Sequence, residues 1–137
     1  RYLNDKRYSS EYRITLAEKA IEFFNFIYDD GHYSRMWRVM LYNHGYLGLR
    51  YYELGDTKNA IESFRKMCEL AIKFDNMDRI TTMHSAMFKG KEFDKHTLGT
   101  TYIAKMQVKE LLTEKYPLSD KFKRSDEFKE LLSILEW

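Results

Sequence analysis

Two stretches of the chain, EKAIEFFNFIYD at 18–29 and KNAIESFRKMCE at 58–69, superpose Ala20 on Ala60, Ile21 on Ile61, Glu22 on Glu62 and Phe24 on Phe64. The repeat distance is 40 residues, the length of a helix pair. One pair cannot bury its apolar face alone, so pairs stack, share a core and leave a concave surface on one side. The helix breakers agree with this reading. One Pro and six Gly in 137 residues are too few for many short strands with a turn every ten residues or so. The expected fold is therefore all-α, a short α-solenoid of stacked helix pairs forming one domain over residues 1–137.

Apolar spacing places the helices. Ala17, Ala20/Ile21, Phe24 and Ile27/Tyr28 recur at intervals of three and four, which predicts a helix over about 10–29 that Gly31 stops. A second helix, with Ser34 as its expected N-cap, carries Trp37, Met40/Leu41, His44, Leu47/Gly48 and Tyr51 on one face and ends at Gly55. Asp56 is positioned to cap a third, whose face reads Ala60/Ile61, Phe64, Met67/Cys68 and Ala71/Ile72. Between 75 and 97, Ile80, Met83 and Met87 suit a short helix, and KGKEFDKH around Gly90 suits a loop. Helical spacing returns through Ala104, Val108, Leu111 and Leu112 until Pro117 forbids continuation. A last helix, with Ser125 as N-cap, buries Phe128, Leu131/Leu132 and Leu135.

Charge narrows the partners. Lys and Arg number 23 against 21 Asp and Glu, a balance of +2 that supplies no strong field for nucleic acid or anionic lipid. No run approaches the roughly 18 apolar residues of a membrane helix. The single Cys68 has no internal disulfide partner, and with no secretory leader in view the expected home is a reducing cytoplasm. Residue 1 is Arg, so a longer parent chain is expected.

The stretch YNHGYLGLRYYELGDTKNAIESF (42–64) resembles a tetratricopeptide repeat. The pattern's Leu-Gly pair falls on Leu47 and Gly48, its Tyr on Tyr51, its inter-helix Gly on Gly55, its small residue on Ala60 and its large aromatic on Phe64. His44 replaces the pattern's Trp, Met67 its second Ala, and the terminal Pro is absent. More widely, AIKFDNM (71–77), the Thr81-Thr82-Met83 segment and KFKRSDEFKELLSILE (121–136) make the chain similar to the C-terminal region of bacterial Xre-type helix-turn-helix regulators. That resemblance implies tetratricopeptide-like pairs acting as the ligand-sensing, dimerising or partner-binding half of a transcription regulator, with the DNA reader upstream of Arg1. The alternative is a stand-alone tetratricopeptide-like scaffold that binds a protein and never touches DNA.

Signatures of catalysis are missing. His32, His44, His84 and His96 stand at least twelve residues apart without Cys or carboxylate at metal-ligand spacing. His44 reads as a buried core histidine and Cys68 as a small buried hydrophobe. No phosphate loop, G-x-S-x-G or H-E-x-x-H occurs, so no enzyme activity, metal or cofactor is expected. What does stand out is a second stripe on the second helix: Arg38, Tyr42, Tyr46, Leu49 and Tyr52, beside the stripe of Trp37 and Leu47. A helix apolar on two sides is either sandwiched or lines a groove. Tyrosines offer rigid contact area with a hydroxyl, and Arg38 suits a carboxylate. The expected partner is a peptide, a protein or a second copy of the chain, with neither nucleic acid nor membrane contacted by this segment.

Overall fold

The computed structural model describes residues 9–136 and is all-α, with one small hairpin set among the helices. Helix α1 (Ser10–Ile27) begins where the Ser9 hydroxyl accepts the Tyr12 N–H at 3.2 Å. α2 (Trp37–Glu53) and α3 (Thr57–Asn76) are joined through Gly55 and Asp56, whose carboxylate caps α3 by accepting the Asn59 N–H at 3.2 Å. Gly55 sits at φ 78°, where a Cβ would be strained. α2 lies between α1 and α3 and packs on both, and α3 packs in turn on α4 (Ala104–Glu110) and α6 (Asp126–Ile134).

The tightest contact of the repeat is at Gly48. A Cβ there would stand 2.5 Å from the ring of Phe64, which is fully buried in α3. Only glycine leaves room for that ring against α2, and the small Ala60, one turn earlier on α3, is also fully buried. Leu47 falls into a smaller cluster with Ile14 and Ala17 of α1, onto which Ile21, Tyr46 and Tyr51 fold.

Two expectations are corrected. Ser34 caps nothing: it opens a 3-10 turn (Ser34–Met36) ahead of α2 at φ 51°, and its N–H goes to Nδ1 of the buried His32 at 3.1 Å. That acceptor role assigns the His32 proton to Nε2, which reaches Thr81 Oγ1 at 2.7 Å. Nor do Ile80, Met83 and Met87 share a helix. Ile80–Thr82 is strand β1, paired antiparallel with β2 (Glu92–Asp94) so that Thr81 faces Phe93. The β-branched Ile-Thr-Thr run suits a strand, and the hairpin sends Met83 and Phe93 inward while Ile80 and Met87 stay out.

Helix ends then hold the hairpin. Lys95 Nζ donates to the carbonyls of Phe74, Asp75 and Met77 at 3.4, 3.0 and 2.7 Å, capping the end of α3 from outside it. The Asp75 carboxylate accepts the N–H groups of Ala104 and Lys105 at 2.8 and 2.9 Å and so starts α4. Asp30, after α1, accepts from His84 N–H at 2.7 Å and His32 N–H at 3.0 Å, and these bonds together with the nearby His32 hold its carboxyl below its ordinary value against its partial burial.

α4 runs on into a π turn (Leu111–Lys115), and Tyr116 leaves it in extended geometry, as the residue before Pro117 must. Its ring stacks on Phe64 with centroids 5.9 Å apart, and its hydroxyl is driven against Gly45 and the Met67 sulfur. α5 (Asp120–Lys123) and α6 close the domain, each capped by a serine: Ser119 accepts from Phe122 N–H, Ser125 from Phe128 N–H. Among the described residues no helix is long and apolar enough to cross a membrane.

Candidate interaction site

α2 turns one side to the core through Trp37, Met40, Leu41, Leu47 and Gly48. Its second stripe is divided. Arg38 lays its guanidinium 4.2 Å from the centre of the Tyr102 ring and donates to the Leu98 carbonyl. Leu49 packs against the main core, and Tyr52 sets its ring edge-on to Phe122 at 4.9 Å while its hydroxyl accepts the Ser119 N–H at 2.8 Å. Arg38 and Tyr52 thus bind the C-terminal half to α2.

Tyr42 and Tyr46 are placed otherwise. Tyr42 is 44% exposed, and its hydroxyl accepts from the Gln107 amide. The other end of that amide accepts from Tyr102 at 2.6 Å, so a run of contacts, Arg38 to Tyr102 to Gln107 to Tyr42, ties α2 to α4. Tyr46 is half-buried over the α1 cluster, with the Arg50 guanidinium 4.6 Å from its ring centre and Arg13 beside its hydroxyl. Burial raises its phenol above the ordinary value despite those cations.

Two residues that sequence reasoning missed border this surface. Val39, three positions before Tyr42, is exposed, and so is Ile103, one helical turn before Gln107. Val39 was legible from helical spacing alone. Ile103 comes near it only because Gln107 brings α4 to Tyr42, a contact 65 residues apart in the chain, whereas the exposed Met106 lies with Lys105, Lys109, Leu135 and Glu136. Val39, Tyr42 and Tyr46, with Ile103 at the edge, thus present apolar surface with Arg13 and Arg50 at Tyr46, a composition that suits a protein segment with carboxylates at its edges.

A second concavity runs between α1 and α3 across α2. His44 and Leu47 form its floor, Glu18, Glu22, Glu62 and Lys66 stand on its walls, and its volume is about 570 Å³. Asn25, Tyr33, Glu69 and Lys73 extend it by about 340 Å³. His44, expected in the core, is therefore a half-buried floor residue; burial, aided by the Lys66 charge, pushes its imidazole down to about 4 and keeps it neutral. Acids and bases alternate along both walls, so the groove selects neither sign of ligand. Cys68 is fully buried beneath α3, its thiol pushed up to about 12 chiefly by desolvation, out of range for a nucleophile. Among the described residues no three His, Cys, Asp or Glu side chains gather as a metal site. Compared with known proteins, the chain matches no family model, no curated protein and no solved structure.

Proposed function

We propose that the chain is the interaction half of a cytoplasmic transcription regulator, a tetratricopeptide-like helix-pair domain without catalytic chemistry that receives a peptide or protein segment on the open face of α2. The observation that carries this reading is the split stripe. Arg38, Leu49 and Tyr52 are consumed by the fold, whereas Val39 and Tyr42 stay in solvent, with the exposed Ile103 one turn from the Gln107 that bonds Tyr42. Exposed apolar side chains gathered on one face are the mark of a recognition surface.

Panning a random dodecapeptide display library on the dilute chain supplies the probe. Selected peptides are expected to lose about 30-fold in affinity to Val39→Ser and to Tyr42→Ser, the size of a hot-spot loss; Val39→Ser melts as the parent does, and Tyr42→Ser loses no more than the roughly 1 kcal/mol of its bond to Gln107. Binding indifferent to both substitutions would retire the reading. The chain alone is expected to give no sequence-specific shift of duplex DNA, since its charge is balanced; a nanomolar, sequence-selective shift would overturn the assignment of DNA reading to another part of the regulator.

A further inference from the structure

His32 stands where the turn ahead of α2 meets both strands of the hairpin, and only 9% of its surface is exposed. Its Nδ1 accepts the Ser34 N–H at 3.1 Å, and its Nε2–H reaches Thr81 Oγ1 of β1 at 2.7 Å. The ring lies edge-on to Phe93 of β2 and to Trp37 of α2, with centroids 5.2 and 5.8 Å away. Both ring nitrogens are engaged.

Only the neutral ring can hold this arrangement, because Nδ1 must keep its lone pair for Ser34. A second proton there would set one N–H against another. Ser34 is the part least able to resist, since φ 51° is a backbone conformation that residues with a Cβ rarely adopt and its N–H makes this one bond. The 3-10 turn it opens lies against Lys95–Leu98, the segment that follows β2. A change at His32 therefore reaches β1 through Thr81 and β2 through that turn.

We infer that His32 is an acid-sensitive latch on the 80–94 hairpin: uptake of a solvent proton at Nδ1 expels the Ser34 N–H, loosens the 34–36 turn and lets the hairpin open while α1, α2 and α3 stay folded. Burial is the largest influence on the ring and disfavours its charge. Lys73 of α3 and His84 after β1 act in the same direction, whereas the Asp30 carboxylate favours the charge. The sum holds His32 below its ordinary 6.5 in the closed hairpin, and opening returns the ring to water and toward that value. The open form thus binds the proton first, so closure is complete above pH 6.5 and weakens below it. Asp30 stays ionised there, its own carboxyl being held below its ordinary value, so the response belongs to the imidazole. Opening uncovers Met83 and Phe93, which are 2% and 4% exposed in the closed form. Neither Val39 nor Tyr42 takes part, and the latch and the α2 surface stand or fall separately.

Amide hydrogen exchange followed by NMR tests the latch. The N–H groups of Met83 and Lys95 close the two ends of the strand pairing, donating to the carbonyls of Lys91 and Arg79 at 2.8 and 2.9 Å. Between about pH 7.5 and 5.5 their protection is expected to fall about three- to tenfold, tenfold being the ceiling for one proton bound one unit below 6.5. Their exchange should respond to dilute urea much less than that of the Ala71 amide in α3, the mark of local rather than global opening. His32→Asn offers a side-chain carbonyl to the Ser34 N–H without titrating and should abolish the acid response, whereas His84→Gln should keep it. In the parent chain the ring nitrogen shifts of His32 should report the Nε2–H tautomer at neutral pH, with a midpoint shared by the Met83 and Lys95 amides. Hairpin amides that exchange only together with α3, at the same urea dependence, would overturn the latch. So would an acid response that survives His32→Asn, or one that follows the midpoint of another histidine.

Discussion

Replacing Gly45 by Ala sets two effects of known sign against each other. In the middle of α2, Ala is favoured over Gly by about 1 kcal/mol because it restricts the unfolded chain. The added Cβ, however, would run into the Tyr116 hydroxyl and stand 2.9 Å from the Met67 sulfur. Tyr116 has little room to withdraw, since its ring stacks on the fully buried Phe64 and the chain on its far side is fixed by Pro117. Overpacking of this kind costs about 1–3 kcal/mol. The net expectation for Gly45→Ala is a loss of about 1 kcal/mol, or about 4 °C in Tm for a chain of this length. Tyr116→Phe removes the colliding atom. Its hydroxyl donates to the Met67 sulfur at 3.9 Å, a weak bond, so the single variant should lie within about 0.5 kcal/mol of the parent, less than a typical neutral hydrogen bond. Combined, Gly45→Ala and Tyr116→Phe should recover the stability that Gly45→Ala alone loses, with a coupling of at least about 1 kcal/mol in a double-mutant cycle followed by urea unfolding. Simple additivity of the two changes, or a Gly45→Ala variant more stable than the parent, would refute the collision.

Lys95→Met strips the end of α3 of its external cap and should cost about 1–2 kcal/mol, with amide hydrogen exchange rising first across residues 80–94. Asp75→Ala leaves the first N–H groups of α4 without their carboxylate and should cost about 1–2 kcal/mol, read as lost helicity and a lower Tm. Acidification acts through His44, whose folded value of about 4 lies below its unfolded 6.5. The unfolded chain binds the proton first, so the contribution is complete above pH 6.5 and falls away toward pH 4, by roughly 3 kcal/mol at most. His44→Gln should flatten the pH 4–7 stability profile, and an unchanged slope would remove His44 as its source.

What was legible in the sequence was local. The helices through Leu41, Phe64 and Phe128 announced themselves by spacing, Asp56 and Ser125 by their place ahead of a helix, and Gly48 by its distance from Phe64 in a repeat pattern. What was not legible depended on partners far along the chain. The hairpin at 80–94 is held by Asp30 and by Lys95 reaching across to α3, and neither bond leaves a trace in a short window. The need for glycine at Gly45 leaves no trace in a short window because its partner, Tyr116, lies 71 residues away. The same distance hid the fate of Arg38 and Tyr52, which spacing placed on one face with Tyr42 and which the 98–122 segment draws into the body of the domain. His44 sat on an apolar stripe, and only the gap between α1 and α3 makes that position a groove floor.

The wide turn at Leu111–Lys115 makes chain length, rather than residue identity, the setting for Tyr116. A π turn holds one residue more than an α-helix of the same span, and that surplus rotates all that follows by about 100°. Deleting any single residue between 111 and 115 would let α4 relax into regular α geometry while swinging Tyr116 away from Gly45 and pulling Pro117 back toward the helix. Point substitutions at its exposed positions, Glu114 and Lys115, are absorbed without moving the backbone. In chains related to this one, a one-residue gap at this turn is therefore expected to travel with loss of the glycine at the Gly45 position, so that alignment gaps, usually discarded, carry the record of this contact.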